Sequence, residues 1–138
     1  MCIFGIDYGR KRMGLAVSEG DHAYPVCTIE RRSFIRDIEL IRTELAGRNI
    51  SLIVVGLPTN MDGSEGPSAV AARAFAERLA QATGIPVEMY DERLTTIEAL
   101  ERLREASVSR IKRRHLRDAV AATLILQGWL EARHATSR

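Results

Sequence analysis

The chain is poor in the residues that mark secreted, disordered or membrane-spanning proteins. It has only two cysteines and four prolines in 138 residues, which excludes a disulfide framework and a proline-rich linker. No apolar run approaches the roughly 20 residues that a membrane helix needs, and no segment has the pattern of a signal peptide. Nearly half of the residues are apolar. We therefore expect one soluble, cytoplasmic domain over residues 1–138 with a substantial core.

The chain also lacks a large excess of either charge, because its formal net charge is only +2. The overall balance therefore does not indicate nucleic-acid binding, but its distribution is uneven. Five cations fall within eight residues, and they are Arg110, Lys112, Arg113, Arg114 and Arg117. The cysteines, Cys2 and Cys27, lie in apolar surroundings, far from a second ligand at metal-site spacing, and are predicted to be buried free thiols.

Hydrophobic periodicity predicts the element order β-β-β-α-β-α-β-α-α. The expected strands cover residues 2–6, 13–17, 23–29, 50–57 and 85–90, and the expected helices cover 34–45, 70–82, about 95–103 and 119–130. Pro25 cannot donate a hydrogen bond within a sheet, so the third strand is predicted at a sheet edge. The aliphatic run 50–57 is typical of a central strand that is covered on both faces.

This order predicts an α/β protein with a mixed five-stranded sheet and helices on both faces. The first three strands form an antiparallel meander, and helical crossovers make the last two strands parallel to the first. Parallel strands bring their carboxyl ends to the same end of the sheet, where open α/β sheets bind ligands.

Acidic residues fall at that end of the predicted sheet. Asp7 ends the first strand, Asp91 and Glu92 follow the last, and Asp118 precedes the final helix. A carboxylate among apolar neighbours needs a partner cation, which can be an arginine or a hard divalent ion such as Mg²⁺. Carboxylates that hold two metal ions are also what phosphodiester hydrolysis requires.

Each acid also has a structural interpretation. Asp7 could bond the amides of a turn formed by Gly9 and Arg10. Asp91 or Glu92 could pair with the adjacent Arg93, and Asp118 could simply favour a helix N-terminus. These alternatives stay open from the pattern alone.

Four ordered segments resemble the YqgF family, also called RuvX, over nearly the whole chain. They are residues 5–18 (GIDYGRKRMGLAVS), 54–66 (VVGLPTNMDGSEG), 91–96 (DERLTT) and 118–122 (DAVAA). The family is described as Holliday junction resolvases or pre-16S rRNA nucleases.

The resemblance implies an RNase H-like fold and a nuclease that depends on Mg²⁺ or Mn²⁺, with Asp7, Glu92 and Asp118 as its catalytic, metal-binding acids. Glu92 is the least secure member of this set. If the fourth strand lies between the first and the fifth, Glu92 must reach back across about 10 Å. Asp91, Asp62 or Glu65 could then serve in its place.

Nucleic-acid contacts are expected from cations near these acids. They are Arg10, Lys11, Arg12, Arg93, Arg110, Lys112, Arg113, Arg114 and Arg117. The leading hypothesis is processing of the 5′ end of precursor 16S rRNA in ribosome biogenesis. A resolvase of branched DNA, which would need a homodimer, and a non-catalytic ribosome-binding factor are the alternatives. RNA or DNA, endo- or exonucleolytic cleavage, the metal, and monomer or dimer stay open.

Overall fold

The computed structural model of the chain describes residues 2–94 and 117–136. Its elements are β1 (Cys2–Tyr8), β2 (Arg12–Glu19), β3 (His22–Glu30), α1 (Phe34–Leu45), β4 (Ile50–Leu57), α2 (Pro67–Thr83), β5 (Val87–Asp91), a 3₁₀ turn (Glu92–Leu94) and α3 (Arg117–Thr136). All five predicted strands are confirmed, and α1 and β4 have the predicted bounds. The helix expected at about residues 95–103 lies outside the described residues.

The sheet has the strand order β3-β2-β1-β4-β5. Strands β1, β2 and β3 pair in antiparallel fashion, whereas β4 is parallel to β1 and β5 is parallel to β4. The prediction that β3 is an edge strand is confirmed. Strands β1, β4 and β5 all finish at one end of the sheet, which we call the carboxylate end.

Helices cover both faces of the sheet, as predicted. Side chains alternate between the faces along each strand, so that Phe4 and Ile6 of β1 pack with α1 and α2, whereas Ile3 packs with α3. Similarly, Val55 faces α1 and α2, and its neighbour Val54 faces α3.

Helix α3 is packed on most of its surface, as its uniformly apolar sequence indicates. Its buried side chains include Ala122, Ile125, Leu126, Trp129 and Leu130. Gln127 is also buried, and its amide is satisfied by the Ala23 amide (2.9 Å) and the Asp21 carbonyl (3.0 Å). None of the helices within residues 2–94 and 117–136 is long and apolar enough to cross a membrane.

The two cysteines are free, as predicted, but each is half-buried rather than fully buried. Burial raises the pKa of the Cys27 thiol to about 11, with a further contribution from the charge of Glu44. The thiolate of Cys27 is therefore scarce at neutral pH, which makes this thiol a poor nucleophile.

A glycine allows the close approach of α3 to β1. A Cβ atom placed on Gly5 would lie 2.8 Å from Cβ of Leu126 and 3.2 Å from the Ala122 carbonyl oxygen. We expect Gly5→Ala to destabilise the protein by about 1–3 kcal/mol, because neither the helix backbone nor a Cβ atom can move aside cheaply. Urea unfolding would measure this, with the exposed Val70→Ala as the control. An unchanged midpoint for Gly5→Ala would contradict the prediction.

Candidate active site

The structure places Asp7 at the carboxylate end on the face that α3 covers. Because side chains alternate between the two faces of a strand, Asp7 is on the same face as Ile3 and Gly5, which both face α3. The turn that follows is closed by its own backbone, since the Gly9 amide donates to the Arg12 carbonyl at 3.0 Å. The Gly9 amide therefore has a backbone partner within the turn.

Glu92 reaches Asp7 even though β4 lies between their strands. The Glu92 carboxyl group donates a hydrogen bond to Asp7, and the pKa of Glu92 is raised to about 7. Burial is the largest cause, followed by the charge of Asp7, the hydrogen bond with Asp7 and the charge of Asp91. Each of these influences disfavours the carboxylate. The two acids are therefore held together against their mutual repulsion.

Gly56 in β4 leaves the space through which Glu92 reaches back. A Cβ atom on this residue would lie 2.6 Å from Oε1 of Glu92 and 2.5 Å from Cδ1 of Ile125. The register pairs Ile6 with Val55, and continuing it by one residue sets Gly56 beside Asp7. The side chain of Glu92 therefore reaches Asp7 by crossing β4 at Gly56, where a residue with a side chain would block it.

Asp91 points away from this pair and is bonded on several sides. Its carboxylate accepts from the Thr59 hydroxyl at 2.8 Å, and from the Arg93 amide and guanidinium at 2.6–3.2 Å. These bonds, above all those from the Arg93 side chain, hold the pKa of Asp91 well below its ordinary value. Asp91 is therefore engaged by Thr59 and Arg93, whereas Glu92 is the acid that contacts Asp7.

The other two alternative acids are also engaged within the loop that follows β4. Asp62 accepts hydrogen bonds from the amide (2.9 Å) and hydroxyl (2.6 Å) of Ser64, which lower its pKa. Glu65 forms a two-bond ion pair with Arg73, at 2.7 and 2.8 Å. Neither acid is part of the Asp7–Glu92 pair.

Asp118 lies in the first turn of α3, and its side chain is outside the described part of the chain. The helix packs Ala122 against Gly5 and carries Gln127 to Asp21, which follows β2 at the opposite end of the sheet. The start of α3 therefore lies toward the carboxylate end. Asp118 is one turn, about 6 Å, before Ala122, and Asp7 is two residues, roughly 7 Å, beyond Gly5 in the same direction.

The predicted nucleic-acid contacts have different environments. Arg10 and Lys11 lie in the exposed turn that follows β1, and the exposed Arg12 begins β2. Arg93 instead directs its guanidinium at Asp91, with one further bond to the Met61 carbonyl at 3.4 Å. Of the basic run 110–117, only the backbone of Arg117, at the start of α3, is described.

Sequence reasoning missed Arg31, which organises the turn beside Asp7. Its guanidinium donates to the carbonyls of Gly9 (2.8 Å) and Arg10 (3.0 Å) and to the Tyr8 hydroxyl, and it lies over the Tyr8 ring. Nothing local in the sequence marks this arginine, because its partners are more than 20 positions away.

The carboxyl groups of Asp7 and Glu92 are suitable ligands for a divalent metal ion. Two carboxyl groups in contact, one of them half-buried with a raised pKa, form an anionic site that a hard cation would relieve. Within residues 2–94 and 117–136, no group of three His, Cys, Asp or Glu side chains is positioned to hold a metal. A set of three carboxylates needs a further acid, and Asp118 lies in the first turn of the helix that covers this face.

Solved structures define the class of fold. RuvC of T. thermophilus in complex with a Holliday junction superposes with a TM-score of 0.62 and 17% sequence identity, covering 99% of this chain and 97% of that one. The fowlpox virus resolvase, also solved with Holliday junction DNA, has a TM-score of 0.58 and 11% identity over 96% and 98% of the two chains. The chain thus has the RNase H-like fold of the RuvC resolvases.

Sequence relatives identify the family. The family described as "RuvX: Holliday junction resolvase" matches residues 1–132, and the chain belongs to the RuvX family. A relative in Anaeromyxobacter sp. (strain Fw109-5) is 50% identical over 137 residues, covering 98% of this chain and 100% of the relative. A relative in Myxococcus xanthus (strain DK1622) is 48% identical over 134 residues, covering 96% and 89%. Both bear the name "Putative pre-16S rRNA nuclease".

Proposed function

We propose that this chain is a metal-dependent nuclease that hydrolyses phosphodiester bonds at the 5′ end of precursor 16S rRNA. The observation that carries the proposal is the contact between Asp7 and Glu92 across Gly56 at the carboxylate end. The names of relatives that are about half identical over nearly the whole chain support the choice of substrate. In this proposal a single RNase H-like domain works in the cytoplasm, on or near the ribosome.

Asp7, Glu92 and Asp118 are the proposed metal-binding and catalytic residues, with Mg²⁺ or Mn²⁺ as the ion. When bound, such ions supply an activated water and stabilise the leaving oxygen. The chain itself holds Glu92 against Asp7 and keeps Asp91 occupied by Thr59 and Arg93. Proton loss from Glu92 prepares the pair for a cation, since its pKa of about 7 leaves both forms populated near neutral pH.

Resolution of branched DNA is the second candidate, and two observations favour it. The family description names Holliday junction resolution, and RuvC shares the fold with its junction bound. A resolvase would present two symmetric sites and hence act as a homodimer, whereas an rRNA nuclease can act as a monomer or a homodimer.

The deciding experiment offers labelled precursor 16S rRNA and a labelled four-way DNA junction side by side. Each substrate is incubated with Mg²⁺ or Mn²⁺, with EDTA as the metal control and Asp7→Asn as the site control. We expect cleavage of the rRNA precursor that EDTA and Asp7→Asn both abolish. Preferential cleavage of the junction would replace rRNA processing by resolution. Tight, salt-sensitive binding without cleavage of either substrate would make the protein a non-catalytic binding factor.

A further inference from the structure

Cations from two separate segments adjoin at the carboxylate end, where β1 and β3 finish. The β1–β2 turn and the start of β2 supply Arg10, Lys11 and Arg12, and the connection from β3 and the first turn of α1 supply Arg31, Arg32 and Arg36. The two segments adjoin, because Arg12 pairs with Glu30 in the sheet and the Arg31 amide donates to the Lys11 carbonyl at 2.8 Å. We call these six residues the hairpin surface.

The hairpin surface is held in place by two internal anchors. Arg31 bonds three consecutive residues of the β1–β2 segment, Tyr8 through its hydroxyl and Gly9 and Arg10 through their carbonyls. The second anchor is Asp37, which is 5% exposed and accepts from the Arg32 amide at 3.2 Å. Its carboxylate also lies 3.7 Å from the Arg36 guanidinium. The backbone that carries the exposed cations is therefore positioned before any ligand binds.

The opposite flank of the carboxylate end, formed by the loop that follows β4, carries acids and cations that are already paired. The loop that follows β4 carries Asp62 and Glu65, and its neighbouring cations are engaged, Arg73 with Glu65 and Arg93 with Asp91. Residues 10–12 and 30–37, which include the hairpin surface, contain six cations and two acids, Glu30 and Asp37. Among the described residues, the hairpin surface is therefore the more positively charged of the two flanks and the one that favours a polyanion.

We propose that the hairpin surface binds the phosphate backbone of the nucleic acid next to the scissile bond. The substrate then runs from Asp7 over the β1–β2 turn toward the start of α1, and away from the loop that follows β4. Arg10, Lys11 and Arg32, which are exposed, contact phosphates, and Arg31 is a positioning residue that keeps the turn in shape. This inference rests on the proposed nuclease function and adds the course of the substrate across the protein.

The test is the salt dependence of binding for Arg10→Gln/Arg32→Gln. Fluorescence anisotropy would measure the affinity for a labelled single-stranded RNA and a labelled four-way junction, in EDTA, from 50 to 200 mM KCl. Each lost phosphate contact lowers the slope of log K against log salt by about 0.9 on duplex and about 0.7 on single strands. The double variant should therefore lose roughly 1.4 to 1.8 in slope and bind about tenfold to a hundredfold more weakly.

Two further variants separate this surface from general charge effects. Arg48→Gln removes a partly exposed cation at the opposite end of the sheet, where it contacts Glu44, and should leave the slope unchanged. Arg31→Lys keeps the charge but loses the planar set of donors, so it should weaken binding several-fold with the slope retained.

The proposal is wrong if Arg10→Gln/Arg32→Gln keeps the wild-type slope, or if Arg48→Gln lowers the slope equally. If the wild type cleaves its substrate while the slope is unaffected, the nuclease function stands and the hairpin surface is refuted. If the slope falls as expected but the wild type cleaves nothing, the hairpin surface stands and the nuclease function is refuted.

Discussion

Glu92→Gln is expected to lower metal-dependent cleavage by roughly a thousandfold or more, about 4 kcal/mol in the reaction barrier. An amide of the same shape keeps the path over Gly56 but removes the charge that binds a divalent ion beside Asp7. Single-turnover cleavage at saturating Mg²⁺ would measure the loss. Glu77→Gln removes an exposed charge on α2 and is the matched control. Activity within tenfold of wild type would exclude Glu92 from the catalytic set.

The same substitution should make the metal-free protein more stable at pH 8. The pKa of Glu92 is about 7 in the folded protein against an ordinary value of 4.5. Because the folded value is the higher one, protonation of Glu92 contributes stability that is complete below about pH 4.5 and is lost as the pH rises through 7. The wild type therefore loses stability between pH 5 and pH 8 on account of this group.

Glu92→Gln escapes that loss because the amide never ionises. After a discount for the partial solvent exposure of Glu92, we expect a gain of about 1–2 kcal/mol at pH 8 and almost none at pH 5. Thermal unfolding in EDTA at the two pH values would measure it. An equal change in stability at both pH values would mean that burial and Asp7 do not disfavour the charged form of Glu92. Loss of activity with a gain of stability is the signature of a functional rather than a structural carboxylate.

Gly56→Ala is the second substitution with a large expected effect, a loss of at least about a hundredfold in cleavage rate. The added methyl group would occupy the space of the Glu92 carboxylate, 2.6 Å from Oε1, and would also meet Ile125 at 2.5 Å. The variant should therefore lose stability and activity together, which alone would not separate the two causes.

The double variant Gly56→Ala/Ile125→Val separates them. Valine lacks the Cδ1 atom that lies nearest to the new methyl group, so stability should largely return, while Glu92 remains displaced from Asp7. Urea unfolding and single-turnover cleavage would be compared, with Ile125→Val as the control, which should cost about 1 kcal/mol and little activity. Recovery of cleavage in the double variant would show that Gly56 matters only for packing. A flattened dependence of stability on pH would confirm that Glu92 has left Asp7.

The sheet could be predicted from sequence because each strand has a local signal. The run Ile50–Leu57 is apolar throughout, and Pro25 marks an edge strand. Right-handed crossovers then leave few arrangements of β4 and β5. For the same reason Asp7 could be placed at the carboxylate end before its neighbours were known.

The choice between the two acids at the end of β5 could not be made from sequence. Asp91 and Glu92 are adjacent, and the direction of each depends on the 3₁₀ turn (Glu92–Leu94) and on the absence of a side chain at Gly56. Arg93 was expected to contact nucleic acid, but it is engaged with Asp91. Such neighbours can be distinguished only by their contacts with residues more than 30 positions away in the sequence, Asp91 with Thr59 and Glu92 with Gly56.

Strand β3, at the outer edge of the sheet, constrains how copies of this chain can assemble. Its register against β2 shifts between Leu15 and Ala16, and Pro25 lies at that irregularity. Bulges and prolines interrupt an edge and discourage the addition of a further strand. Two copies that grasp one branched substrate are therefore not expected to join through β3 into a continuous ten-stranded sheet. The same interruption makes β3 a poor template for fibrillar stacking at high concentration.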